Sequence, residues 1–99
     1  MGKPIEVLTR VVLDDVAVFD TDRTITGMDG AGFASADAAA AGSGFPARLA
    51  ASLFAADEAL SYLFIAANQV VLQRREGWDE AGLDRAEAEV CRFFVHYRD

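Results

Sequence analysis

"VAVFDTDRTITG", residues 16–27, is the stretch whose reading decides the fold. An apolar run ends on Asp20, a second acid follows at Asp22, and Thr24 stands two residues later. Two readings compete. In the first, the strand carries a nucleophile and its neighbour into the site of a phosphotransferase, which calls for a parallel, doubly wound sheet. In the second, the strand ends in a turn, where Asp and Thr side chains bond their own backbone.

The flanking sequence favours the turn. "IEVLTRVVL" (5–13) is rich in β-branched residues and predicts a strand, with "VAVF" (16–19) as a second. Asp14-Asp15 supply turn chemistry between them. "RTIT" (23–26) extends the second strand or forms a short one of its own, and "GMDGAG" (27–32) breaks the pattern. "SADAAAAG" (35–42) predicts a two-turn helix with Ser35 as N-cap and Gly42 as stop. "FPARLAASLFAA" (45–56) predicts another, with Pro46 at its first position and Leu49, Leu53 and Ala56 at helical spacing.

"ALSYLFIAANQVVLQR" (59–74) reads as two strands around a tight turn near Ala67-Asn68, with Val70 and Leu72 on one face. The last segment, from Trp78 onward, gives the best helix. Asp79 is its N-cap, Trp78 staples onto Leu83, and Leu83, Ala86, Val90, Phe93, Phe94 and Tyr97 form an apolar stripe. The order ββααββα predicts an α+β fold, a two-layer sandwich of a mostly antiparallel sheet with helices on one face, in one domain over residues 1–99.

Composition narrows the function. The chain has 99 residues, 53% hydrophobic and 25% charged, which suits one globular core. Its net charge is −7, and its nine Lys and Arg are scattered, so neither a nucleic-acid nor an anionic membrane surface is expected. No apolar run approaches the roughly 18 residues that span a bilayer. Met1-Gly2 is followed by the acidic Glu6 where myristoylation takes Ser or Thr, and no signal-peptide core is present. The expected location is the cytoplasm. A single cysteine excludes an internal disulfide.

The opening stretch resembles the first motif of the haloacid-dehalogenase-type phosphohydrolases, an apolar strand ending in Asp-x-Asp-x-Thr and an apolar residue. Asp20, Asp22, Thr24 and Ile25 match it. The resemblance implies Asp20 as nucleophile and Asp22 as general acid and base. The chain lacks the remaining parts: its only lysine, Lys3, lies upstream, and no strand–helix alternation follows. Charge neutralisation is most of what a phosphotransferase supplies. Cys91 and His96 are the only soft metal ligands, and five residues of helix set them about 140° apart. Cys91 reads as a small residue bordering the apolar stripe, with metal ligation the weaker alternative. His96 complements the dipole of the helix end. "GMDGAG" lacks the spacing of a phosphate loop, and "FFVHY" lacks the basic residues of a stacking platform.

The second half resembles the N-terminal domain of Nfu/NifU-type iron–sulfur scaffold proteins. That family shows a Phe-x-Ser-Ala-acid-x-Ala segment, a short helix ending in Leu-Phe, a β-hairpin, then a Trp and an amphipathic last helix. Here these fall on Phe33, Ser35, Ala36 and Asp37; on Leu53 and Phe54; on Tyr62, Leu63, Phe64, Val70 and Leu72; and on Trp78, Leu83 and Val90. The resemblance covers about two-thirds of the chain. It implies a free-standing, non-catalytic accessory domain in iron–sulfur cluster assembly or delivery, with iron binding as a property of the family. The family's Cys-x-x-Cys lies in a separate domain, so no cluster ligand carries over to this chain, and Cys91 does not match that motif. The implied partner is a scaffold, carrier or client protein, met at a sheet edge or at the loop 27–34. Reuse of the fold for an unrelated partner stands beside it.

Overall fold

In the computed structural model, residues 6–22 and 30–96 are described, with side chains placed as far as Arg92. The elements run β1 (Val7–Leu13), β2 (Val16–Thr21), β3 (Ala31–Phe33), α1 (Ala36–Ala41), α2 (Gly44–Ala56), β4 (Leu60–Ala66), β5 (Gln69–Arg74) and α3 (Glu80–His96). The strands form one sheet in the order β1-β2-β5-β4-β3, and each pairing is antiparallel. The α+β two-layer sandwich follows, with the helices on one face.

Alternation decides which side chains meet them. Ala17, Phe19 and Thr21 of β2, Leu63 and Ile65 of β4, and Val70 and Leu72 of β5 are buried, and the residues between them are not. Ala47, Leu49, Ala50, Leu53 and Phe54 of α2 and Ala86 and Val90 of α3 complete the core. A period of two in the strands and of 3.6 in the helices therefore bury one shared side. Thr21, the buried polar residue, donates its hydroxyl to the Asn68 carbonyl at 3.0 Å, while the Asn68 amide donates to the Thr21 carbonyl at 3.0 Å. The β4–β5 turn is thereby tied to the end of β2.

Both hairpin turns fall where the sequence places them. Asp14 has φ 58° and Ala67 φ 51°, each in the left-handed region a tight turn requires. Ser35 caps α1 by accepting the Ala38 N–H at 3.0 Å, and Gly42 closes it. Asp79 caps α3 by accepting the Gly82 N–H at 2.7 Å. Two expectations change. Pro46 is the third residue of α2, not the first, because Ser43 is the N-cap and Gly44 begins the helix. Its missing N–H costs nothing within the first turn. Residues 31–33, expected within a loop, form β3. Gly30 (φ 74°) allows the approach, since a Cβ there would stand 2.8 Å from the Ile65 carbonyl oxygen. The readings that rest on Arg23–Gly27, on Tyr97 and on the side chains of Phe93, Phe94 and His96 lie outside the described residues.

Candidate functional site

Asp20 is the penultimate residue of β2, and alternation sets it on the side of the sheet away from the helices. It faces Thr9 of β1 and Gln69 of β5. The Thr9 hydroxyl donates to one carboxylate oxygen at 2.7 Å and the Gln69 amide to the other at 3.0 Å. Asp22 continues the pairing of β1 with β2, its N–H donating to the Glu6 carbonyl at 2.9 Å and its carboxylate accepting the Glu6 N–H at 3.2 Å. The two acids thus sit at a strand end between antiparallel neighbours. The parallel sheet of the phosphohydrolase motif has no counterpart among the described residues. Thr24 and Ile25 are not among those residues.

Cys91 is half-buried on α3. Burial raises its pKa, and Glu87, Asp22 and Glu6 add to the rise, against a lowering by a backbone hydrogen bond from Val7. It is therefore a thiol in an acidic setting, the reverse of what activates a cysteine. Among the described residues no group of three or more His, Cys, Asp or Glu is placed to hold a metal. A surface pocket of about 440 Å³ opens between α1, the end of α2 and the ends of β4 and β5. Of its polar side chains, Ser35 caps α1, and the Arg75 guanidinium donates to the carbonyls of Glu58 and Leu60.

The helix-free face of the sheet is the feature left over. Its middle row follows from the register: Val11 opposite Val18, Val18 opposite Val71, Val71 opposite Phe64, and Phe64 opposite Gly32. Val18, Val71 and Phe64 are half-buried although β2, β5 and β4 are the inner strands, and Val11 is 51% exposed. The row above it holds Leu13, Val16, Gln73 and Tyr62, of which Leu13 is 66% exposed. The row below it is polar, made of Thr9, Asp20 and Gln69 with Ala66 at its end.

Sequence reasoning named none of the middle row as a site, although Val16 and Val18 on β2 and Tyr62 and Phe64 on β4, each pair two residues apart, were the signal. It also missed two ion-pair sets that lock the opposite layer. Arg10 of β1 reaches Glu80, Asp84 and Glu87 of α3 at 3.0, 3.0 and 2.9 Å. Arg74 of β5 reaches Asp57 at 2.8 Å, and its guanidinium lies 5.8 Å from the centre of the Trp78 ring. The Trp78 N–H donates to the Asp15 carbonyl at 3.0 Å, so this residue expected to staple α3 also fastens the β1–β2 turn.

With this arrangement the chain is similar in structure to protein SAV1430 from Staphylococcus aureus. The TM-score is 0.63 at 9% identity, and the match covers 85% of this chain and 96% of that one. At that identity the likeness shows the fold alone. No protein-family model and no curated protein matches the sequence. No helix among the described residues is long and apolar enough to cross a membrane.

Proposed function

We propose that this chain is a non-catalytic interaction domain of iron–sulfur cluster assembly or delivery, which docks on a scaffold, carrier or client through the helix-free face of its sheet. The observation that carries the docking is the row Val11–Val18–Val71–Phe64, incompletely covered at the middle of the sheet. Covering a half-exposed Val or Phe contributes about 1 kcal/mol per side chain. A contiguous apolar row on a protein surface, rather than scattered apolar residues, is what marks an interaction site.

The iron–sulfur part rests on the resemblance. The residues that carry it lie on β3, α1, α2, the β4–β5 hairpin and the entry of α3, in the order the resemblance implies. The cluster ligands belong to the partner in this reading, and Cys91 has no part in holding them. The exposed edge of β1, with Leu8 60% exposed, is a second surface beside the face.

The test is an anaerobic pull-down from the native host, read by mass spectrometry, with the chain and its Val18→Asp variant as baits. The expected result is recovery of cysteine desulfurase, scaffold or cluster-bearing clients by the first bait and their loss with the second. Equal recovery by both removes the face from the proposal. Recovery of unrelated proteins alone means that the fold serves another partner. A magnesium-dependent phosphatase activity abolished by Asp20→Asn would replace the proposal with the phosphohydrolase reading.

A further inference from the structure

We infer that the occupant of the open sheet face is a basic amphipathic helix of the partner protein. The inference rests on the docking reading above and gives the chemistry of what docks. A sheet face differs from a sheet edge in what it offers. The N–H and C=O groups of β2, β5 and β4 are used in ladders on both sides of each strand. A segment laid across them gains no main-chain hydrogen bond and must satisfy its own backbone groups. A helix does this by itself, whereas a single added strand needs an edge.

Charge sets the sign of the helix. Asp15 precedes β2 in the β1–β2 turn, and Asp20 is the penultimate residue of the strand. Both carboxylates are tied to glutamines that flank the apolar row on the open face. Each accepts from a neutral glutamine of β5, Asp15 from Gln73 at 3.1 Å and Asp20 from Gln69 at 3.0 Å. Neither belongs to an ion pair among the described residues. No Lys or Arg occurs among the strand residues that alternate onto this face. Arg10 and Arg74 lie on the other side, with carboxylates of their own. A second copy of the chain would bring the same two acids against themselves, with a net charge of −7 on each partner. Like charges so placed oppose association, and a cationic partner is favoured.

Spacing completes the match. Gln69 and Gln73, which hold the two acids, are four residues apart on β5, about 14 Å, a distance that about 9 residues of helix span. The fitting segment therefore has apolar residues at helical spacing and Lys or Arg about two to three turns apart.

The probe is a synthetic helical peptide with Leu at positions i, i+3, i+4 and i+7 and Lys toward both ends, beside an isomer with Glu in place of each Lys. Binding to the full chain is followed by fluorescence anisotropy and amide chemical-shift mapping. The Lys peptide is expected to bind, to shift Val11, Val18, Val71 and Phe64, and to weaken as salt rises. The Asp15→Asn/Asp20→Asn chain, which keeps the shape of both side chains, is expected to bind it about tenfold more weakly. Equal affinity for the two peptides overturns the inference, as does failure of the Lys peptide to bind or a shift map lying elsewhere. A dimer that buries the face, seen by sedimentation and the same shift map, would put a second copy there instead. These measurements use purified components. Peptide binding without iron–sulfur proteins in the pull-down therefore sinks only the proposed function, and the reverse sinks only this inference.

Discussion

Ala67 holds φ at 51° in the β4–β5 turn, where an L side chain is strained and glycine is not. Ala67→Gly is expected to stabilise the fold by about 0.5–1 kcal/mol, measured by urea unfolding, since relief of strain exceeds the added freedom of the unfolded chain. Cys91 gives a prediction of sign. Burial first, then Glu87, Asp22 and Glu6, raise its pKa in the folded chain, with only the Val7 hydrogen bond opposing. Its contribution to stability is complete below the unfolded value of about 8.5 and is lost as pH rises through the higher folded value. Alkylation by iodoacetamide is expected to have a higher pH midpoint in the folded chain than in urea. Alkaline destabilisation is expected to be smaller in Cys91→Ser. At this scale the sequence showed the two hairpin turns and the caps of α1 and α3, because a side chain that bonds its own neighbours announces itself locally. Ser43 caps α2 without a side-chain bond and was missed. It did not show what Asp20 does. An Asp-x-Asp-x-Thr string looks the same in any sheet, and only the cross-strand partners Thr9 and Gln69 distinguish a polar row from a nucleophile's setting.

Elements were legible where their signal lay within one turn or one alternation. Ser35 and Asp79 marked two helix starts, and the alternation of Val70 and Leu72 marked the buried face of β5. The strand β3 was not legible, because three residues with glycine at the centre have no pattern until they pair with β4. The tie between β1 and α3 had half a signal. Glu80, Asp84 and Glu87 recur at helical spacing on one face of α3, but nothing local named Arg10 as their common partner. The guanidinium is raised above its ordinary pKa by its hydrogen bond to Asp84, against some loss from burial, with Glu87, Asp84 and Glu80 adding charge. Arg10→Gln is expected to lower the melting temperature more at low than at high salt, because the three acids are partly exposed and screened. The Asp57–Arg74 pair is better covered, with side chains only 12% and 13% exposed. Asp57→Asn is expected to cost about 2 kcal/mol with little dependence on salt, the scale of a charge-assisted hydrogen bond lost at a covered site.

Across the whole molecule, the order β1-β2-β5-β4-β3 joins the first hairpin to the second through β2 and β5. Strand β5 pairs with β4 from its own hairpin and with β2 from about fifty residues earlier, so neither hairpin has a complete sheet without the other. Local reading gave both hairpins but not their adjacency, since antiparallel strands with a burial period of two fit several orders equally well. This interleaving makes the fold one cooperative unit. Trp78 reports on it, standing at the entry of α3 with its N–H on the β1–β2 turn and its ring beside Arg74 of β5. Leu72 is fully buried on β5 between Ala17 of β2 and Leu63 of β4. Leu72→Ala is expected to cost about 3 kcal/mol through the lost burial and the cavity left behind. The loss should appear as one shifted transition, with Trp78 fluorescence and far-UV circular dichroism coincident before and after the substitution. Separate transitions by the two probes would show that the hairpins unfold independently and that β5 does not couple them. Folding is then expected in milliseconds to seconds, because the β2–β5 pairing closes a long loop before its contacts contribute.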